Sequence, residues 1–96
     1  MASRRSRLEL IADILLAIQN KGGCIKPTHL MYKSNLSHKL LNSYLEELIT
    51  KGMVSIQEEI IKKREAPQKT IIITDKGLNF LSEFRRMREF TETFGI

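Results

Sequence analysis

Residues 26–53 read KPTHLMYKSNLSHKLLNSYLEELITKGM. Pro27 suits the first turn of a helix, because its missing N–H would be unpaired there in any case. Ser34 and Asn35 suit a turn, Leu36 plugs the junction, and Ser37 is placed to cap a second helix by accepting from an N–H one turn on. Leu40, Leu41, Tyr44, Leu45, Leu48 and Ile49 then fall on one apolar stripe, and Gly52 stops the run. The spacing predicts a short helix over 27–33, a tight turn, and a longer helix over 37–51. That is the layout of a helix-turn-helix. The stripe is expected to build a core, leaving Ser37, His38, Lys39, Asn42 and Ser43 free to touch a partner.

Toward the N-terminus, residues 5–20 (RSRLELIADILLAIQN) carry Leu8, Ile11, Ile14, Leu15 and Ile18 at spacings of three and four, which predicts an amphipathic helix. Lys21, Gly22 and Gly23 supply the chemistry that ends it. Toward the C-terminus, Val54 and Ile56 alternate with Ser55 and Gln57 as in a half-buried strand, and TIIIT (70–74) is a second β-prone run. The polar stretch KKREAPQK (62–69) between them predicts a hairpin with a basic tip, a wing. Thr74 or Asp75 is placed to cap a last helix over 75–95. The whole is expected to be one α+β, mostly α domain spanning residues 1–96, a winged helix-turn-helix with a three-helix core, a two-stranded β-hairpin wing and a C-terminal helix.

The chain has 16 Lys and Arg against 11 Asp and Glu, a net charge of +5, which favours polyanionic partners. In a helix-turn-helix the second helix enters the major groove with its first residues nearest the base edges. Asn bonds adenine in two places, Lys donates to guanine, and Ser meets base or phosphate. Lys33, Ser37, His38, Lys39, Asn42 and Ser43 are therefore the expected DNA-binding residues of the helical pair. Lys62, Lys63, Arg64 and Lys69 are the expected backbone contacts of the wing, with Glu65 the one negative charge among them. The competing structural readings are a solvated helix face and a charged hairpin that prevents edge-to-edge aggregation. Arg4, Arg5 and Arg7 form a basic arm, expected equally as a groove contact or a frayed end.

On the last helix, Phe80, Phe84, Met87, Thr91 and Phe94 follow a four-three-four-three spacing, a heptad-like seam. With Phe90 beside them, Phe80, Phe84, Met87 and Phe94 are the expected dimerisation residues, the alternative being a helix folded back over its own core. Catalysis finds no support: Glu46, Glu47, Glu58 and Glu59 come as adjacent pairs, which face apart on a helix or strand. No nucleophile motif or phosphate loop stands out, so no enzyme is expected. His29, His38 and the single Cys24 lack metal-site spacing, so neither metal nor cofactor is expected. A lone cysteine excludes an intrachain disulfide and suits a reducing cytoplasm. No signal-peptide pattern or apolar run of membrane length occurs, so no membrane association is expected.

Residues 30–55, LMYKSNLSHKLLNSYLEELITKGMVS, resemble the signature of small archaeal winged-helix DNA-binding proteins, and ITDKGLNFL (73–81) is similar to that family's entry to its last helix. Tyr32, Lys33, Asn35, Leu36, Ser37 and Tyr44 carry the match. The resemblance implies a dimer joined by the C-terminal helix, acting as a chromatin-associated or transcription-regulating protein on double-stranded DNA, with the helix 37–51 and the wing tip 60–69 as contacting elements. It departs at the end, where the chain finishes FTETFGI and some relatives carry a longer charged coiled coil. The expected function is double-stranded DNA binding by a cytoplasmic, nucleoid-associated homodimer. The alternatives are a winged-helix protein-protein interaction module without DNA binding, and a sensor using Cys24.

Overall fold

The computed structural model describes residues 6–59 and 68–95, and the elements run α1 (Arg7–Asn20), β1 (Cys24–Ile25), α2 (Pro27–Ser34), α3 (His38–Thr50), β2 (Val54–Glu59), β3 (Gln68–Ile73) and α4 (Asp75–Phe94). Each helix start has a chemical cause. The Ser6 hydroxyl accepts from Glu9 N–H at 3.2 Å, Ser37 from Leu40 N–H at 3.2 Å, and Thr74 from Gly77 N–H at 3.2 Å. Helix α2 has no side-chain cap and begins on Pro27 instead.

Between α2 and α3 the chain turns at Asn35, whose φ of 55° is the left-handed conformation that asparagine tolerates better than most side chains. Ser34, buried one residue earlier, donates its hydroxyl to the Leu30 carbonyl at 2.7 Å, so the turn costs no unpaired side-chain group. Leu36 then drops into the core, as expected.

The sheet departs from expectation. The hairpin β2–β3 forms in the register Val54↔Ile73 to Glu59↔Gln68, but β3 also pairs antiparallel with β1, Cys24 to Ile72 and Ile25 to Ile71. The wing is thus part of a three-stranded sheet ordered β1-β3-β2 rather than a free two-stranded hairpin. Gly22 and Gly23, at φ of 89° and 95°, supply the turn that brings β1 alongside β3, and Gly23 C=O accepts from Ile73 N–H at 3.0 Å. Two residues are too short a run to show a strand period, which is why the sequence pattern conceals β1.

Ile14, Leu15 and Ile18 of α1, Leu30 of α2, Leu48 of α3 and Ile71 of β3 are fully buried, and Leu41, Leu45, Val54, Ile73 and Leu81 close around them. Each such side chain removed from water stabilises the fold by about 1.5–3 kcal/mol before entropy is counted. Several expected core positions lie outside. Leu40 and Ile49 are 41% and 42% exposed. They are nine residues apart, two and a half turns at about 3.6 residues per turn, so they sit on opposite flanks of α3 and one core cannot take both. Leu8, in the first turn of α1, and Ile56 of β2 are also exposed. In β2 only Val54 is buried, so its alternation stops after one residue.

Candidate nucleic-acid interface

Leu41, Leu45 and Leu48 fix α3 to the core, and the opposite side of the helix carries Lys39, Ser43, Glu46 and Thr50, all exposed. Asn42 and His38 stand on the flank toward the sheet, also exposed. The Asn42 amide nitrogen lies 3.3 Å from His38 Nδ1, one turn earlier. Ser37 is engaged as the cap, its oxygen accepting from Leu40 N–H while its O–H remains able to donate. The structure therefore gathers Ser37, His38, Lys39, Asn42 and Ser43 at the exposed N-terminal half of α3. Lys33 is exposed but separate, sharing a shallow depression with Asp13, Ala17, Lys21 and His29 between α1 and α2.

A groove of about 320 Å³ separates α3 from the sheet, lined by Pro27, Asn42, Glu46, Ile49, Ile56 and Lys69 among others. Lys69 is exposed on β3, its ammonium 3.9 Å from the carboxylate of Glu58 in the directly opposite position of β2. The remaining expected wing contacts, Lys62, Lys63 and Arg64, lie outside the described residues, as do Arg4 and Arg5.

An ion cluster that sequence spacing did not suggest holds the far flank of α3. Arg7, in the first turn of α1, pairs with Glu47, Lys51 reaches the same carboxylate at 3.1 Å, and the Arg7 guanidinium lies 5.9 Å from the centre of the Tyr44 ring. The i,i+4 pair Glu47–Lys51 was visible in principle. The partnership with Arg7 needed the fold to bring the first turn of α1 beside α3. Arg7 is thus a residue of α1 with partners on α3, its side chain still more than half exposed.

The expected dimerisation residues divide into two groups. Phe80 and Phe84 are half-buried against the chain's own core, their rings 6.2 Å apart. Met87, Phe90 and Phe94 are 47%, 57% and 64% exposed, and Thr91 is half-buried between them. Phe90 and Phe94 pack their rings together at 4.8 Å, on the distal part of a helix that is about 30 Å long at 1.5 Å per residue.

Cys24 is exposed at the edge of the sheet. Among the described residues no three His, Cys, Asp or Glu side chains form a metal-binding group, and no helix is long and apolar enough to cross a membrane.

Three core helices, a hairpin alongside the second helix of the turn, and a long closing helix define a winged helix-turn-helix domain. The chain belongs to the winged helix-turn-helix family, whose profile matches residues 4–92. No curated protein matches it.

Among solved structures it is similar to Sso10a-2, a DNA-binding protein from Sulfolobus solfataricus, at 21% identity and a TM-score of 0.75 over 94% of this chain and 85% of that one. Diamide-treated YodB from B. subtilis matches at 21% identity and a TM-score of 0.72, over 93% of this chain and 82% of that one. BpsR from Bordetella bronchiseptica, whose DNA binding is regulated by 6-hydroxynicotinic acid, matches at 12% identity and a TM-score of 0.72 over 88% of this chain. The match spans 61% of BpsR. At these identities the likeness is one of fold.

Proposed function

We propose that this protein binds double-stranded DNA as a homodimer and acts as a transcriptional regulator or chromatin-associated protein in the cytoplasm, at the nucleoid. Helix α3 enters the major groove through Ser37, His38, Lys39, Asn42 and Ser43, and the wing, with Lys62, Lys63, Arg64 and Lys69, lies along flanking phosphates. Lys33, apart from them on α2, is assigned to the phosphate backbone. The observation that carries this reading is the exposed, hydroxyl-, amide- and amine-bearing N-terminal half of α3, held out by a fully apolar inner face in a chain of this family. The similar folds of Sso10a-2 and BpsR, both DNA-binding proteins, support it. The exposed Met87, Phe90 and Phe94 supply an apolar face for a second copy, so two reading helices would address paired half-sites.

Fluorescence anisotropy of a labelled duplex, titrated with the full chain at low and moderate salt, tests the reading. Binding that weakens steeply with salt is expected, because each neutralised phosphate releases counterions. Absence of binding at low salt would overturn it in favour of a protein-docking role.

A further inference from the structure

We propose that Glu46 reads a cytosine, its carboxylate accepting from the exocyclic N4 amino group in the major groove. The inference rests on the DNA-binding reading above and adds to it a residue whose charge, taken alone, is unfriendly to phosphate.

The adjacent carboxylates of α3 are in different circumstances. Glu47 faces α1 and is neutralised by Arg7 and Lys51. Glu46, about 100° further round the helix, is exposed and has no ion-pair partner among the described residues. It lines the groove holding Ser43, Thr50 and Lys51 on one side of α3 and the groove holding Asn42, Ile56 and Lys69 on the other. It therefore stands on the ridge between them, in line with Lys39 and Ser43. Lys69, which borders the second groove, is already beside Glu58.

A helix docked by this ridge carries Glu46 toward the base edges. Against phosphate an unpaired carboxylate only repels, and being acceptor-only when ionised it needs a donor. The major groove offers amino donors on cytosine N4 and adenine N6; the adenine donor sits beside the N7 acceptor, which repels a carboxylate, so cytosine is the partner that carboxylates take there. Lys39, seven residues earlier, is a pure donor suited to guanine. Seven residues span about 10 Å of helix, or roughly three base steps at 3.4 Å per nucleotide along one strand. The ridge thus presents donor and acceptor spaced for a guanine and a cytosine about three steps apart.

Selection of preferred sites from randomised duplexes, using the full chain and its Glu46→Ala and Glu46→Gln variants, tests this, followed by anisotropy on the selected and a random duplex. The wild type is expected to require one cytosine per half-site, with binding about tenfold weaker or worse when it is replaced by thymine. Glu46→Ala is expected to bind both versions alike and to bind random DNA at least as tightly as the wild type. Glu46→Gln is expected to shift the preference toward adenine, which an amide contacts at N6 and N7. A cytosine requirement that survives in Glu46→Ala, or a uniform tightening on every duplex, would overturn the assignment, as would a wild type that binds DNA without preference. A wild type that binds no duplex would overturn the DNA-binding reading itself, and this inference with it.

Discussion

Gly77 lies against the backbone carbonyl of Met53, so closely that a methyl group added to Gly77 would collide with that oxygen and come within 2.8 Å of Ile73 Cγ1. The contact seats the first turn of α4 on the segment that leaves α3. Backbone on one side and a packed β3 side chain on the other leave no cheap escape. Gly77→Ala should therefore destabilise the fold by about 1–2 kcal/mol, an overpacking cost of up to roughly 3 kcal/mol less about 1 kcal/mol gained in helix propensity. Thermal or urea unfolding followed by circular dichroism gives the value, and a variant as stable as wild type would show that α4 shifts freely.

Thr74 secures the same joint by hydrogen bonds. Its hydroxyl donates to Gly52 C=O at 2.6 Å and accepts from Gly77 N–H at 3.2 Å. Thr74→Ala removes both, and a loss of about 1–2 kcal/mol is expected. Thr74→Ser retains the hydroxyl and should recover most of it in the same melt.

Lys39→Ala combined with Asn42→Ala removes two groups proposed to meet bases. Affinity for a selected site should fall by about 2–6 kcal/mol, from roughly 1–3 per contact, while affinity for random duplex changes far less. Equal losses on the two duplexes would make α3 a backbone contact only. Asn42 also faces His38, so the two side chains should be varied separately before their effects are added.

Neutralising Lys62, Lys63 and Arg64 together should weaken binding evenly across sequences. If each meets a phosphate, the plot of log affinity against log salt should become shallower by about 2–3, at roughly 0.9 per contact. An unchanged slope would remove the wing tip from the interface.

Phe90→Ser with Phe94→Ser should leave the monomer fold intact, since both rings are more than half exposed. It should lower the sedimentation mass from dimer toward monomer. A wild type that sediments as a monomer at high concentration would refute α4 as a dimer seam.

The inner faces of α1 and α3, the caps at Ser37 and Thr74 and the turn at Asn35 were legible because each depends on residues one or two turns apart. The amphipathic period and the capping hydroxyl are local properties, and the chain obeys them. What escaped depended on distant segments meeting. Strand β1 exists because two glycines swing Cys24 and Ile25 against β3, and the Arg7–Glu47 pair exists because the fold brings the first turn of α1 beside α3. Leu40 and Ile49 read as core because a stripe drawn too wide ignores that nine residues reverse a helix face. On α4 one apolar seam on paper became two surfaces, since the core reaches Phe84 and ends there. For the candidate interface, chemistry picked out the residues of α3. Of the difference between Glu46 and Glu47, only the i,i+4 partner Lys51 was legible, and the pairing with Arg7 was not.

The seat of α4 at Thr74 and Gly77 also acts as a zero mark. Each residue counted from it turns the helix by about 100° and lifts it by roughly 1.5 Å, so the compass bearing of Phe90 and Phe94 relative to α3 is written as a residue count. Inserting a single alanine after Phe84 would leave every buried contact behind it in place and swing the distal aromatic face a quarter-turn or more. Any partner fastened there would carry its own reading helix to a new bearing along the duplex. If α4 is the dimer seam, the distance between half-sites would be a property of chain length in α4, adjustable without touching a residue proposed to meet DNA.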